Sequence, residues 1–374
     1  MSSHRPLAGR LRALDGLRGL AAVVVVVHHS LLVVPTLAAP HFDGRATTWW
    51  AALLVYSPLH LFWAGTEAVF LFFVLSGVVL GRAAANPQFD WSRYVPARLV
   101  RLYLPVLGAV LVGVLTFRLV GREPFPGMSE WLARLPTSYP LQGILQDSML
   151  VTGVSRSITP LWTLQWEVLF SLLLGGYIFI AVRASPVLQV MTAILLSALG
   201  YATGVVALYY LPMFAIGTAI GAHWVVVEQV GRRINSHPLS RFIWPLAAAV
   251  AAVLVCSYWL LLPVFDGPPD LRLLSLPLIL VGVTLVVLVA ASWTPFASVL
   301  SLRPIQWLGA ISFSLYLVHE PVIVAFAFAS HGSAVWGAIA GVVAFLAAQL
   351  FMLVMERPAH RLSRRIARPR SWSE

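Results

Sequence analysis

Two adjacent imidazoles, His28-His29, end the apolar run Ala21–Val27. That run is entered through Leu14-Asp15-Gly16-Leu17-Arg18-Gly19. Neutral imidazole is the side chain best matched to removing a proton near pH 7, so such a pair suits general-base work on a hydroxyl. From Arg18 to His29 is eleven steps, about 16 Å of helix. On a membrane-spanning helix this spacing puts Arg18 at the boundary and His29 near mid-bilayer. Neighbours on a helix point apart, so His28 and His29 serve different faces.

Other costly polar groups recur in apolar surroundings, where ionisable side chains mark function by default. Glu67 follows Trp63-Ala64-Gly65-Thr66 and either lines a cavity or sits at an interface. Arg98 and Arg101 are three apart and share one helix face, a guanidinium pair suited to gripping a phosphate-bearing ligand. Glu167 comes just after Leu161-Trp162-Thr163-Leu164-Gln165-Trp166, with Trp162 and Trp166 as interface residues. A later segment holds Ser312, Ser314, Tyr316, His319 and Glu320; Ser312 and Tyr316 share a face, as do Tyr316 and His319. Together these groups suggest acid/base chemistry or a proton path. They leave an enzyme and a proton-coupled transporter both open.

The elements that must hold these residues are membrane helices. Of 374 residues, 59% are hydrophobic and only 10% charged, with a mean hydropathy of +0.86; soluble domains carry about 25% charged residues. A spanning helix needs roughly 20 mostly apolar residues. Ten windows qualify, near 14–34, 59–80, 99–120, 160–182, 186–206, 207–228, 242–262, 271–291, 305–329 and 335–355. The expectation is an all-α polytopic membrane protein of about ten spans. The first window reads as a span and not as a cleavable leader, because it runs on into the polar His pair. All 25 basic residues are Arg, and 19 of them fall on the side that would hold both ends of the chain. The positive-inside rule then makes both termini cytoplasmic, in a plasma membrane.

The chain reads as a single membrane domain over 1–374. It has a short cytoplasmic lead over 1–13, a long external loop over 121–159 with an amphipathic piece near Leu141–Leu150, and a basic cytoplasmic tail over 356–374. The net charge of +11 is thus a topology signal, with attraction to anionic lipid, and not a nucleic-acid footprint. The lone Cys256 excludes an internal disulfide and a Cys-based metal site. The glycine pairs Gly217/Gly221 and Gly337/Gly341, and Gly77 after Ser76, read as close helix contacts.

Taken in order, these blocks resemble the acyltransferase-3 family of integral membrane O-acyltransferases over nearly the whole chain. The blocks are Leu14–Gly19 with His29, Phe72-Phe73-Val74-Leu75-Ser76-Gly77, Arg98 with Arg101, Leu161–Leu164 with Glu167, and Ile311–His319 before Pro321. The resemblance implies transfer of an acyl group from cytoplasmic acyl-CoA, acetyl-CoA or another short-chain form, to a hydroxyl reached from the other side. The acceptor it implies is a sugar of an envelope glycan, a glycolipid or a macrolide-type metabolite. Arg18 and His29 match the family's Arg-x10-His motif, with His29 as catalytic base. Arg98 and Arg101 match its Arg-x-x-Arg motif, which engages the CoA donor. Glu167 matches the acid after the Trp-Ser-Leu-like block, although Thr163 stands here for the usual Ser. Asp15, His28, Glu67, Trp162, Ser312, Ser314, Tyr316 and His319 are expected to bind substrate or support the site. No metal is expected. Many relatives carry a fused esterase-like domain; with none here, the chain is expected to act alone. The competing reading is a transporter or flippase for a glycan or lipid-linked substrate, but no internal repeat supports it.

Overall fold

A computed structural model describes residues 5–42, 44–265 and 269–367, with side chains from Arg12 onward except that of Pro269. The basic tail from Arg368 on, residues 1–4, Asp43 and Asp266 lie outside the described residues, as do the side chains of Arg5 and Arg10. Among the described residues there are helices and no strands. The main helices in chain order are α1 (Arg5–Leu32), α2 (Gly65–Ala84), α3 (Trp91–Leu119), α4 (Leu161–Ala181), α5 (Pro186–Thr203), α6 (Val206–Ala222), α7 (Trp224–Ser236), α8 (Ser240–Val255), α9 (Pro269–Ser292), α10 (Arg303–Ala329), α11 (Ala334–Phe351) and α12 (Arg357–Ala367).

Eight helical stretches among the described residues are long and apolar enough to cross a bilayer, or nine if α6 and α7 form one broken span. Large apolar side chains such as Leu111, Leu115, Leu172, Leu173 and Leu195 stand bare on their flanks. This is a multi-pass membrane protein. Every apolar window of the sequence is largely helical, but three differ from a plain span. The window over 207–228 breaks at His223, where α6 and α7 meet at 70°. Beyond the break, α7 carries Glu228, Arg232 and Arg233 within 13 residues, too much charge for a hydrocarbon core. The window over 242–262 yields α8, only 16 residues, then a break at Cys256 before the short helix Ser257–Leu261. Sixteen residues rise about 24 Å, less than the roughly 30 Å of a bilayer core. The window over 59–80 starts six residues late. Ser57 accepts a hydrogen bond from the Leu59 N–H at 3.2 Å and Pro58 opens a separate turn, Pro58–Phe62. Ala64 then leaves helical backbone, and α2 begins at Gly65.

The chain forms two compact units. One comprises the described residues up to 29, residues 36–86 and residues 174–312. In it α2 and α6 pack backbone on backbone through small residues. A Cβ on Gly217 would strike the Val74 carbonyl, and one on Gly221 the Val78 carbonyl. This is small-xxx-small packing, the association mode available where lipid removes the hydrophobic drive. Gly19 of α1 lies against Gly309 of α10 in the same manner.

The other unit comprises residues 30–35, 87–173 and 313 onward. Asp90 caps α3 by accepting the Arg93 N–H at 3.2 Å, and α12 packs along that helix. The stretch 121–159 is folded. It contains the helices Glu130–Ala133 and Leu141–Met149, the second where the amphipathic piece was expected. The buried Asp147 gathers it, accepting from the Tyr139 hydroxyl at 2.8 Å and from the Ser155 N–H and hydroxyl, each at 2.6 Å.

Candidate functional site

The sequence-predicted residues divide between the two units. In the first, Asp15, Arg18 and Ser312 come together where α1 meets the start of α10. Arg18 Nε donates to Ser312 Oγ at 3.1 Å, and its Nη2 pairs with Asp15 at 3.1 Å. Ser312 Oγ in turn donates a hydrogen bond to the Gly309 carbonyl at 2.8 Å. The hydroxyl is thereby oriented to receive the guanidinium.

Three turns further along α1, His28 is buried and His29 half-buried. The Nδ1–H of His28 donates to the Trp63 carbonyl at 2.9 Å. A carbonyl can only accept, so Nδ1 holds the proton and Nε2 presents its lone pair. The Cα of Gly65 lies against this ring; any Cβ there would collide with it. Around His28 stands a group of rings that sequence reading did not single out as a site: His41, His60 and Trp259, with Trp63. Centroids lie 5.1 Å apart for His28–His41, 4.4 Å for His41–Trp259 and 4.3 Å for His60–Trp259. Burial pushes the His60 imidazole down to about 2, with His28 adding to the effect. Burial also holds His41 well below its ordinary value, aided by His28 and His60. Both rings are therefore neutral at physiological pH. Trp259 Nε1 donates to the buried Glu67 at 3.3 Å, which ties that acid to the cluster.

In the second unit, α3 and α4 bring Arg98 and Glu167 into an ion pair at 2.5 Å. Arg98 Nε also donates to Ser171 Oγ at 3.2 Å, and Ser171 donates to the Glu167 carbonyl at 2.6 Å. One turn on, Arg101 is exposed. The two arginines thus stand in different surroundings, although their spacing puts them on one face. Trp162 is half-buried at the start of α4. Ser314 donates to Glu356 at 2.5 Å. The fully buried His319 donates from Nδ1 to the Leu315 carbonyl at 2.9 Å and lies 5.9 Å from the Tyr316 ring.

Beside His319, Glu320 is also fully buried, and its opposite charge is Arg122 from the stretch 121–159. Arg122 lies over the Phe117 ring at 3.7 Å and donates to the Pro136 carbonyl at 3.3 Å. Burial draws its guanidinium down to about 10, with Glu320 opposing. Among the described residues no three His, Cys, Asp or Glu side chains are placed to share a metal ion.

His41 and His60 were missed because each stands alone in sequence. His41 sits in a short turn after Pro40, and His60 falls inside a window that reads as apolar. Their common feature is a shared neighbour, Trp259, some two hundred residues away. Glu356 was assigned to the tail, and only the fold shows that Ser314 reaches it.

Against known proteins, the sequence matches the acyltransferase-3 family model, described as an acyltransferase domain, over residues 11–355. It is similar to Acyltransferase MdmB of Streptomyces mycarofaciens, with 25% identity over 281 residues, covering 71% of this chain and 70% of that protein. No solved structure matches it.

Proposed function

Since the chain belongs to the acyltransferase-3 family, we propose that it moves an acyl group from acyl-CoA to a hydroxyl of a sugar or glycosylated acceptor. His29 takes the acceptor proton as the oxygen attacks the thioester carbonyl. The tetrahedral oxyanion then collapses, the carbon–sulfur bond breaks, and the CoA thiolate leaves and is protonated. The products are an O-acyl ester and free CoA. Arg98 and Arg101 engage the phosphates of the CoA donor, and Glu167 holds Arg98 in position. Arg18, anchored to Asp15 and Ser312, fixes the lower end of the helix that carries His29. We place the donor on the cytoplasmic side, where both termini would lie, and the acceptor on the other side of the plasma membrane.

One observation carries this reading. The matched family model runs through both the Arg18–His29 segment and the Arg98–Arg101 segment, and Arg98 is held at 2.5 Å by Glu167, which lies within the same matched range. A positioned base is worth about 10²–10⁴ in rate. His29→Ala should therefore lower transfer of radiolabelled acetyl from acetyl-CoA by about that factor, with the protein still inserted and folded. Full activity in that variant would overturn the assignment. Arg101→Ala should raise the KM for acetyl-CoA with little change in kcat. Mass spectrometry of envelope and secreted metabolites, with and without the gene, would read acyl group and acceptor together.

A further inference from the structure

The first unit contains a recess with about 320 Å³ of empty space, part of it open to the surroundings. Thr66, Glu67, Tyr201, Tyr209, Tyr258 and Arg272 supply its polar lining. These come from five helix ends. Glu67 is in the first turn of α2, Tyr201 in the last turn of α5 and Tyr209 in the first turn of α6. Tyr258 lies in the helix Ser257–Leu261, and Arg272 in the first turn of α9. The recess is therefore built where helices begin and end, and not at their midpoints.

Its chemistry narrows what can enter. Arg272 stacks over the Tyr258 ring at 4.5 Å and is attracted by the Glu67 carboxylate. An anion would meet Glu67 and a cation would meet Arg272, so neither is favoured. A neutral ligand with several hydroxyls satisfies both. The carboxylate accepts from hydroxyls, the guanidinium donates to them, and phenols do either. Tyrosine rings offer flat apolar faces for the C–H side of a saturated ring. Tyr201 and Tyr209 lie 5.6 Å apart and Phe70 adds a third ring, 6.0 Å from Tyr209.

The recess also leads to the histidines. Glu67 accepts from Trp259, Trp259 lies tilted against His41, and His41 lies against His28, whose ring is 5.3 Å from that of His29. We infer that this recess binds a neutral, hydroxyl-rich ring of the acyl acceptor, with Glu67 and Arg272 holding hydroxyls and the tyrosines stacking on the ring. The inference rests on the proposed function only in naming that ligand as the acceptor.

The test uses the full chain in lipid nanodiscs without acyl-CoA, and saturation-transfer NMR with methyl glycosides of glucose, mannose and rhamnose. At least one glycoside should bind. Glu67→Gln and Tyr258→Phe should each weaken it about fivefold, the loss expected for one hydrogen bond. Tyr103→Phe, in the other unit, should leave binding unchanged. The 6-phosphate of the bound sugar should bind no more tightly. The inference is overturned if folded protein binds none of the glycosides, if both recess variants bind as well as the parent, or if the phosphate binds better. Acyl transfer separates the two readings. Transfer with an acceptor KM unmoved in both recess variants would sink this site and leave the function standing. Glycoside binding by a protein that consumes no acyl-CoA would do the reverse.

Discussion

Arg98 illustrates how a single side chain can serve both packing and chemistry. Its side chain is 10% exposed, and the guanidinium joins a carboxylate and a hydroxyl from α4. Removing one member of a buried pair strands the other, which costs about 3–5 kcal/mol when burial is complete. Glu167 keeps 24% of its side-chain exposure, so Arg98→Ala should cost less, about 1–3 kcal/mol, and a double-mutant cycle with Glu167→Ala should recover part of it. Arg98→Lys should not restore stability, because an ammonium lacks the fork that reaches both partners. Thermal unfolding in nanodiscs would measure all three. His60 gives a prediction of the opposite kind. Its folded value is depressed to about 2, so below about pH 6.5 the unfolded chain binds a proton that the folded chain refuses. Stability should fall as pH drops from 6.5 towards 2, by about 1.4 kcal/mol per unit for this residue. His60→Phe should make the melting temperature fall less steeply over that interval, with the contribution of the likewise buried His41 remaining. An unchanged pH profile in that variant would contradict a neutral buried ring.

Among the elements, the glycines of α2 and α6 make the strongest packing claim. A methyl at position 217 would enter the Val74 carbonyl, and its three nearest neighbours, on Val74, Val78 and Gly77, are all backbone, which cannot swing aside. Gly217→Ala should destabilise by about 1–3 kcal/mol, the usual cost of overpacking. At Gly176 of α4 a Cβ meets nothing within 4 Å. Gly176→Ala should therefore be neutral or stabilising by about 0.5–1 kcal/mol through helix propensity. Melting curves of the two variants would separate contact from propensity. These contacts were legible in the spacing of Gly217 and Gly221, because only small residues let helix backbones touch in lipid. The helices themselves were legible from apolar run length. Their interruptions were not. The bend at His223 and the break at Cys256 lie within or beside continuous apolar runs, and hydropathy does not register backbone direction.

For the molecule as a whole, the arginine distribution makes a test of sidedness straightforward. Cys256 is the sole cysteine and is buried, so an introduced thiol would report alone. Met128→Cys, in the stretch 121–159, should react with a membrane-impermeant maleimide in intact cells. Ser236→Cys, at the end of α7, should react only after permeabilisation. Labelling of both positions in intact cells would overturn cytoplasmic termini. At this scale the sequence singled out candidate residues but few of their partners. Arg18 with Ser312 and Glu67 with Trp259 are separated by 294 and 192 residues. Periodicity speaks only to neighbours within a few turns, so such pairings emerge only from the packed fold.

Gly65 offers nothing for chemistry, yet its Cα is the surface against which the His28 ring rests. In an unbiased screen for inactive alleles, Gly65→Ala should score with the histidine alleles and not with the tolerant glycines. The added methyl would displace an imidazole without removing a single polar atom from the chain. An enlarged side chain at 28 should produce the same phenotype from the opposite side. Geneticists would then record two positions, 37 residues apart in the chain, as a single locus.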